Sequence, residues 1–259
     1  MKYLLIDTAN MFFRARHSAH RASDTWTKLG FALHLTMMSA NKVARRFGVD
    51  HVVFALEGRS WRKDHYKPYK ANRAVARGAM SETEAEEDKL FWETYDELTK
   101  YLSEKTNCSV IRCATAEADD IIAHLCQELP AKYNSQCFIV SSDKDFIQLV
   151  TDKVTVYRPI EKDYYTPDTV KEKFGVLPEN FLHYKVLLGD ASDKVPGIKG
   201  LGAKKIGKLF PELLERNMTL EELLELCASK HKENIIYSRI VFEEINLRKT
   251  TRIMDLSNH

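Results

Sequence analysis

Eight carboxylates recur in this chain in a pattern that scattered surface acids do not make: Asp7 alone, then Glu117, Asp119 and Asp120, then Asp143 and Asp145, then Asp190 and Asp193. Most of them come just after a short apolar run. Acidic side chains this crowded repel one another unless cations lie between them, so the spacing predicts a divalent-metal site. Hydrolysis of a phosphodiester suits such a site, because one cation activates water and a second, about 4 Å away, steadies the leaving oxygen. Two hard cations with their water shells need on the order of six to eight carboxylates, and the count fits. Each group also has a plainer reading. Asp143 could cap a helix starting near Lys144, Asp119 and Asp120 could complement a helix N-terminus, and Asp190 could end a helix beside Gly189. Asp190 and Asp193, three apart, are expected on one helical face.

Other chemistries lack their residues. No GxSxG is present, the nine histidines form no HExxH pair, and neither a Walker loop nor GxGxxG occurs. Five cysteines, an odd number without CxxC spacing, argue against structural zinc and suit a reducing cytoplasm.

The net charge of +2 conceals strong segregation. From Arg59 to Arg77 there are seven basic residues and one acid, and from Lys194 to Lys208 five lysines and no acid. Cations beside an acidic centre suit a polyanion held while one phosphate meets metal ions. In the first stretch Arg62, Lys63, Lys67, Lys70 and Arg73 alternate with Trp61, Tyr66 and Tyr69. Rings that stack on bases among cations that follow phosphates make a single-strand track. Lys70 and Arg73, three apart, would reach one phosphate from a helical turn. In the second stretch Pro196 is expected to stop a helix, and Gly197, Gly200 and Gly202 to uncover backbone amides ahead of a new helix. With Lys199, Lys204 and Lys205 this is a helix-hairpin-helix layout, which grips a phosphate backbone without reading bases.

The elements that must position these residues alternate. KYLLI, HVVFA, SVIRC, CFIVS and KVTVY read as strands, with an amphipathic helix along Leu29, Leu33, Met37, Ala40, Ala44 and Phe47 and another from about Ala116 to Leu129. The rhythm predicts an α/β fold with a mostly parallel sheet, whose carboxyl edge would carry Asp7, Glu57 and Asp143. Ser81-x-x-Glu84 is a capping box for a helix presenting Phe91, Tyr95, Leu98 and Leu102. After about Thr166 the pattern is wholly helical. The expected division is a core over residues 1–165, with an inserted segment at about 59–105, and a helical region over 166–259. No apolar run nears the ~18 residues of a membrane span, and Asp7 comes too early for a signal peptide. The expected location is the cytoplasm of a bacterial or phage-infected cell.

Taken in order, LLIDTANMFFR, WRKDHYKPYKANR, AEADDIIA, SSDKDFIQLV and LLGDASDKVPGIKGLGAKKI resemble the 5′-nuclease superfamily of flap endonucleases, polymerase I 5′-to-3′ exonuclease domains and free-standing phage exonucleases. The resemblance covers nearly the whole chain. It implies a PIN-like metal-bearing sheet, a helical arch that passes the 5′ strand, and a helix-hairpin-helix on the downstream duplex, often with bound K⁺. It implies Mg²⁺ or Mn²⁺ as cofactors, with Asp7, Glu117 and Asp119 as ligands of one ion. Asp143, Asp145, Asp190 and Asp193 resemble the ligands of another, and Asp120 a bridging or outer carboxylate. Lys70 and Arg73 resemble the cations that steer the scissile phosphate, and Tyr69 a ring stacking on an unpaired base. Arg62 and the hairpin's Gly197, Lys199, Gly200, Gly202, Lys204 and Lys205 are the expected DNA contacts. The implied substrates are 5′ flaps and forked or nicked duplexes, including RNA-primed ends, cut by a monomer in replication or repair. One residue departs from the family's pattern. The second strand reads Phe54-Ala55 where the family has Phe-Asp, and Glu57, on the same face of an extended strand, is the expected substitute. That departure leaves open an inactive branched-DNA-binding relative, and a PIN-like ribonuclease is the other alternative.

Overall fold

In the computed structural model, which describes residues 1–18, 24–159 and 161–257, the apolar runs line up as one six-stranded sheet ordered β3-β2-β1-β4-β5-β6. The strands are β1 (Lys2–Asp7), β2 (His51–Leu56), β3 (Ser109–Arg112), β4 (Gln136–Val140), β5 (Val154–Arg158) and β6 (Asp163–Tyr165). The pairings that link β1 to β5 are all parallel. The β-α-β rhythm predicts this, because a parallel return must cross a sheet face, usually through a helix. Leu4, Leu5 and Ile6 of β1 have no exposed surface. A central parallel strand is covered on both faces, which is why its sequence is continuously apolar. The short and half-polar β6 carries no signal in the sequence.

The helices are α1 (Thr8–Ser18), α2 (Thr25–Phe47), α3 (Arg62–His65), α4 (Ala71–Gly78), α5 (Glu82–Lys105), α6 (Ala118–Tyr133) and α7 (Pro167–Phe174). They continue with α8 (Phe181–Leu188), α9 (Ala203–Leu209), α10 (Glu212–Glu215), α11 (Leu220–Ser229), α12 (Ile235–Phe242) and α13 (Glu244–Met254). The chain divides into two units, one of residues 1–61, 73–144 and 153–164, the other of 62–72, 145–152 and 165–259.

In the first unit the core lies where α1, α2 and α5 cover the sheet. α5 begins at the expected capping box, with Ser81 N donating to Glu84 Oε2 (2.8 Å) and Glu84 N to Ser81 Oγ (3.3 Å). Its stripe of Phe91, Tyr95, Leu98 and Leu102 is buried, and Phe91 stacks on Phe12 of α1 with centroids 4.5 Å apart. Each such buried ring contributes roughly 1.5–3 kcal/mol. Together they fix α1 against the sheet, and with it the carboxyl end of β1. On α2 the stripe centres on Leu29, Ala32, Ala40 and Val43, while Leu33, Met37, Ala44 and Phe47 pack at its margin.

In the second unit α8 ends at Gly189, not at Pro196 as its sequence suggests. Gly189 has φ +77°, and a Cβ there would lie 2.2 Å from Gly197 N. Two chain passages meet too closely for any side chain, so the turn is made before proline is reached. The final helical stretch breaks at Glu243 into α12 and α13. Among the described residues no helix is long and apolar enough to cross a membrane.

Candidate metal centre and nucleic-acid interface

Asp7 closes β1 and is 6% exposed. Its Oδ1 accepts from Asn10 N (3.1 Å), in the first turn of α1, and its Oδ2 accepts from Ser141 Oγ (3.0 Å) just beyond β4. Ser141 Oγ in turn accepts from Asp143 N at 3.0 Å. Two neighbouring strand ends thereby deliver Asp7 and Asp143 to one edge of the sheet. Glu57 reaches it from β2. Gly58 makes this possible: its N donates to Ala116 O (3.0 Å), and a Cβ there would lie 1.8 Å from Cys113 O. The close pass lays Glu57 Oε2 on Ala118 N (3.1 Å), in the first turn of α6. Glu117 is the N-cap of that helix, Asp119 lies in its first turn, and Asp120 Oδ2 accepts from Glu117 N at 2.9 Å.

The electrostatics follow from this crowding. Burial, then the charges of Glu57 and Asp143, push Asp7 up to about 7 despite its hydrogen bonds. A carboxylate that cannot comfortably ionise among carboxylates fits a cation-binding edge. Ala55 is the register partner of Asp7 and is fully buried, so the carboxylate absent from position 55 would have stood directly beside it. Glu57, two residues on, turns to the same group.

The second unit holds Asp145, Asp190 and Asp193. Asp190 and Asp193 do not share a helical face. α8 has ended, and Asp190 forms an antiparallel bridge with Val195. Asp190 Oδ1 accepts from Ser192 N (2.8 Å), Ser192 Oγ (2.5 Å) and Asp193 N (3.3 Å). The cause is again the early stop at Gly189. Asp145 opens a 3-10 turn. Lys185 Nζ lies 2.6 Å from Asp145 Oδ1 and 2.7 Å from Asp190 Oδ2. Burial disfavours the charge on Lys185, but the two carboxylates outweigh it and raise its proton affinity. Burial likewise works against Asp190, yet its bonds to Lys185 and Ser192 hold it down at about 2.

Among the described residues no three Asp, Glu, His or Cys side chains already stand as a closed metal cage. The donor set is nonetheless all oxygen, as hard cations require. It is buried at Asp7, and a lysine ammonium already serves as counter-ion at Asp145 and Asp190.

Two expected DNA contacts are buried. Arg62 is 2% exposed and donates Nε to Ile253 O at 2.8 Å, so it ties its short helix to the C-terminal one. Tyr69 is 5% exposed, with Lys70 Nζ 4.8 Å from its ring centroid, so neither face is open to a base. Lys70 precedes α4 in the left-handed region (φ 52°) rather than lying on its helical turn. It is buried, and its N donates to Asp193 O at 3.3 Å. Arg73, on α4, is exposed.

The glycine loop joins α8 to α9. Lys199, Gly200, Gly202, Lys204 and Lys205 are exposed, as is Gly197. Gly200 takes φ +82°. Lys205 Nζ donates to Gly200 O (2.8 Å) and Arg239 Nη1 to Lys199 O (2.6 Å), so both cations brace the turn from within. The sequence reading missed Lys185 and also Arg14. Arg14 is half-buried, its buried Nη1 has no hydrogen-bond partner among the described residues, and it interacts electrostatically with Tyr157, Glu161 and Asp7. Its signal was available: Arg14 lies seven residues after Asp7, on the helix that follows it.

Residues 2–175 match the family profile described as "5′-3′ exonuclease, N-terminal resolvase-like domain". The chain is 34% identical over 186 residues to DNA polymerase I of Rhizobium leguminosarum, covering 71% of this chain but 17% of that protein. It is similar over nearly full length to the flap endonuclease Xni of Shewanella piezotolerans, with 28% identity across 92% of this chain and 91% of that one. Among solved structures, the T5 5′-exonuclease with bound divalent zinc ions superimposes with a TM-score of 0.79 at 20% identity, covering 99% of this chain and 90% of that one. The likeness establishes the fold.

Proposed function

The chain belongs to the 5′-3′ exonuclease family, and from that premise we propose that it is a structure-specific 5′-nuclease, hydrolysing phosphodiesters of 5′ flaps and branched or nicked DNA in replication or repair. One observation carries the reading. Asp7 is buried against Glu57 and Asp143 and driven up to about 7, an arrangement that becomes favourable only with a cation at the sheet edge. Asp7, Glu117, Asp119 and Asp120, with Glu57 in place of the missing carboxylate, would hold one Mg²⁺ or Mn²⁺. Asp145, Asp190 and Asp193 would hold another. Bound there, such ions supply water activation and stabilise the leaving oxygen. The chain's own residues do the rest. Arg73, exposed on α4, would place positive charge near the phosphate whose oxygens gain charge during the reaction, whereas Lys70 is buried against Tyr69. The glycine loop, with Lys199 and Lys204 outward, binds duplex backbone without reading sequence, and K⁺ is the ion suited to its carbonyls. The names of its relatives, a flap endonuclease and a 5′-exonuclease, support the same substrate class. Residues 1–165 would form the nuclease core and 166–259 would supply the duplex grip together with Asp190 and Asp193, in a monomer.

The test is Asp145→Asn. It should abolish cleavage of a 5′-flap substrate in Mg²⁺ or Mn²⁺ while flap affinity stays within a few-fold; a strong loss of binding would refute the metal assignment. Ala55 favours a second reading, a branched-DNA binder with weakened catalysis, in which the wild type binds flaps but cuts none even in Mn²⁺. Cutting of RNA flaps in preference to DNA flaps would move the assignment to ribonucleases.

A further inference from the structure

We propose that Lys185 is a built-in cation that sets how tightly the Asp145–Asp190 pair takes a divalent ion, replacing the ion when none is bound and competing with it when one arrives. The inference rests on reading Asp145 and Asp190 as metal-binding carboxylates.

The geometry is that of an ion between two ligands. One oxygen of each carboxylate faces the same ammonium, at 2.6 and 2.7 Å. The other oxygen of Asp190 is occupied by Ser192 and the Asp193 amide, so Oδ2 is the oxygen directed to a cation. Backbone dictates this placement. Gly189 N donates to Lys185 O at 2.8 Å, and with Gly189 in a positive-φ conformation the chain folds back over the last turn of α8. That return lays the Asp190 side chain on Lys185, five residues earlier. The three side chains are 13–17% exposed. Water therefore screens them poorly, and removing the ammonium would leave two carboxylates facing each other.

Lysine differs here from arginine. Its charge is a point on a flexible four-carbon stem, so it can swing out as a cation enters, whereas a guanidinium held by two carboxylates would resist. Divalent binding at this pair must displace it. The metal-free protein thereby avoids the repulsion felt at Asp7, and its affinity for the ion falls.

The experiment titrates the full chain with Mn²⁺ alone, without DNA, by calorimetry and by the loss of the free-ion EPR signal. Wild type is compared with Lys185→Met and Lys185→Arg. Lys185→Met should bind Mn²⁺ tighter at one site, by roughly ten- to a hundredfold, the range over which groups touching metal ligands tune affinity. Lys185→Arg should bind no tighter than wild type. In EDTA Lys185→Met should melt lower than wild type, and Mn²⁺ should restore it. Should Lys185→Met fail to fold, Lys185→Gln, which keeps a polar end, replaces it in the same titration. An isotherm for the neutral variant that superimposes on wild type overturns the proposal. If flap cleavage and its loss in Asp145→Asn are nonetheless observed, the nuclease reading stands and this inference alone falls. If no variant and not even the wild type binds Mn²⁺, both fall.

Discussion

Replacing Asp7 by asparagine should stabilise the metal-free protein, against the usual result for a buried, hydrogen-bonded residue. In the folded chain Asp7 keeps its proton up to about 7, because of burial and then Glu57 and Asp143, against an ordinary value of 3.8. Between those two pH values the native state binds more protons than the unfolded state, so stability falls as pH rises from about 4 to about 7 and then levels off. A gap of roughly three pH units at about 1.4 kcal/mol each amounts to ~4 kcal/mol. For a chain of this size that is on the order of 8–16 °C in Tm. Asparagine removes the charge at little cost in bonding. Its carbonyl oxygen can still accept from Asn10 N, and its amide can donate to Ser141 Oγ, whose hydroxyl rotates to accept.

The assay is urea or thermal denaturation of wild type and Asp7→Asn in EDTA at pH 5 and pH 8, repeated with Mn²⁺. Without metal Asp7→Asn should be the more stable by about 1.7 kcal/mol at pH 5 and by about 4 kcal/mol at pH 8. With Mn²⁺ the order should reverse, since only the wild type gains binding energy in the native state. A variant less stable than wild type at pH 8 in EDTA would refute the electrostatic account, because the hydrogen bonds would then outweigh the repulsion.

Ala55→Asp tests the same edge in the opposite sense. A carboxylate on the register partner of Asp7, about 5 Å away, adds repulsion of order 3 kcal/mol at an effective dielectric near 20, so the variant should melt lower than wild type in EDTA at pH 8. It should also bind Mn²⁺ more tightly and cleave flaps faster, as read by titration and single-turnover kinetics. In the glycine loop two adjacent lysines should separate. Lys204→Ala should weaken duplex binding and reduce the slope of log affinity against log salt by about 1. Lys205→Ala, whose ammonium is bound to Gly200 O, should loosen the turn and lower affinity with less change in slope, as seen in fluorescence anisotropy across a salt series.

The sheet was legible because its signal is redundant. A buried parallel strand must be apolar throughout and must be followed by a helix, and the runs ending at Asp7, Leu56 and Val140 satisfy both conditions. The carboxylates were legible for a related reason, since crowding of like charge needs no coordinates to be noticed. The basic aromatic segment was not. Composition could supply Arg62, Tyr69 and Lys70 but not their direction, and tertiary packing turned all three inward. The α8 stop failed differently. Pro196 is the louder local signal, but Gly189 and Gly197 meet across a turn, a contact that no local reading contains.

The same limit explains why Lys185 went unnoticed. On α8 it reads as one polar residue in FLHYKVLL, with no periodic reason to be singled out. Its meaning comes from Asp145, forty residues earlier, and from a turn that brings Asp190 back onto its own helix. Two carboxylate groups, one in each unit, meet the problem of like charge in two ways. Asp7 holds its proton, and Asp190 holds a lysine. A proton leaves near neutral pH and a lysine must be displaced, so the two groups should differ in how divalent binding depends on pH. Affinity at the Asp7 group should climb steeply from pH 6 to 8, while affinity at the Lys185 group should change little, because Asp190 is already ionised and Lys185 still charged across that range.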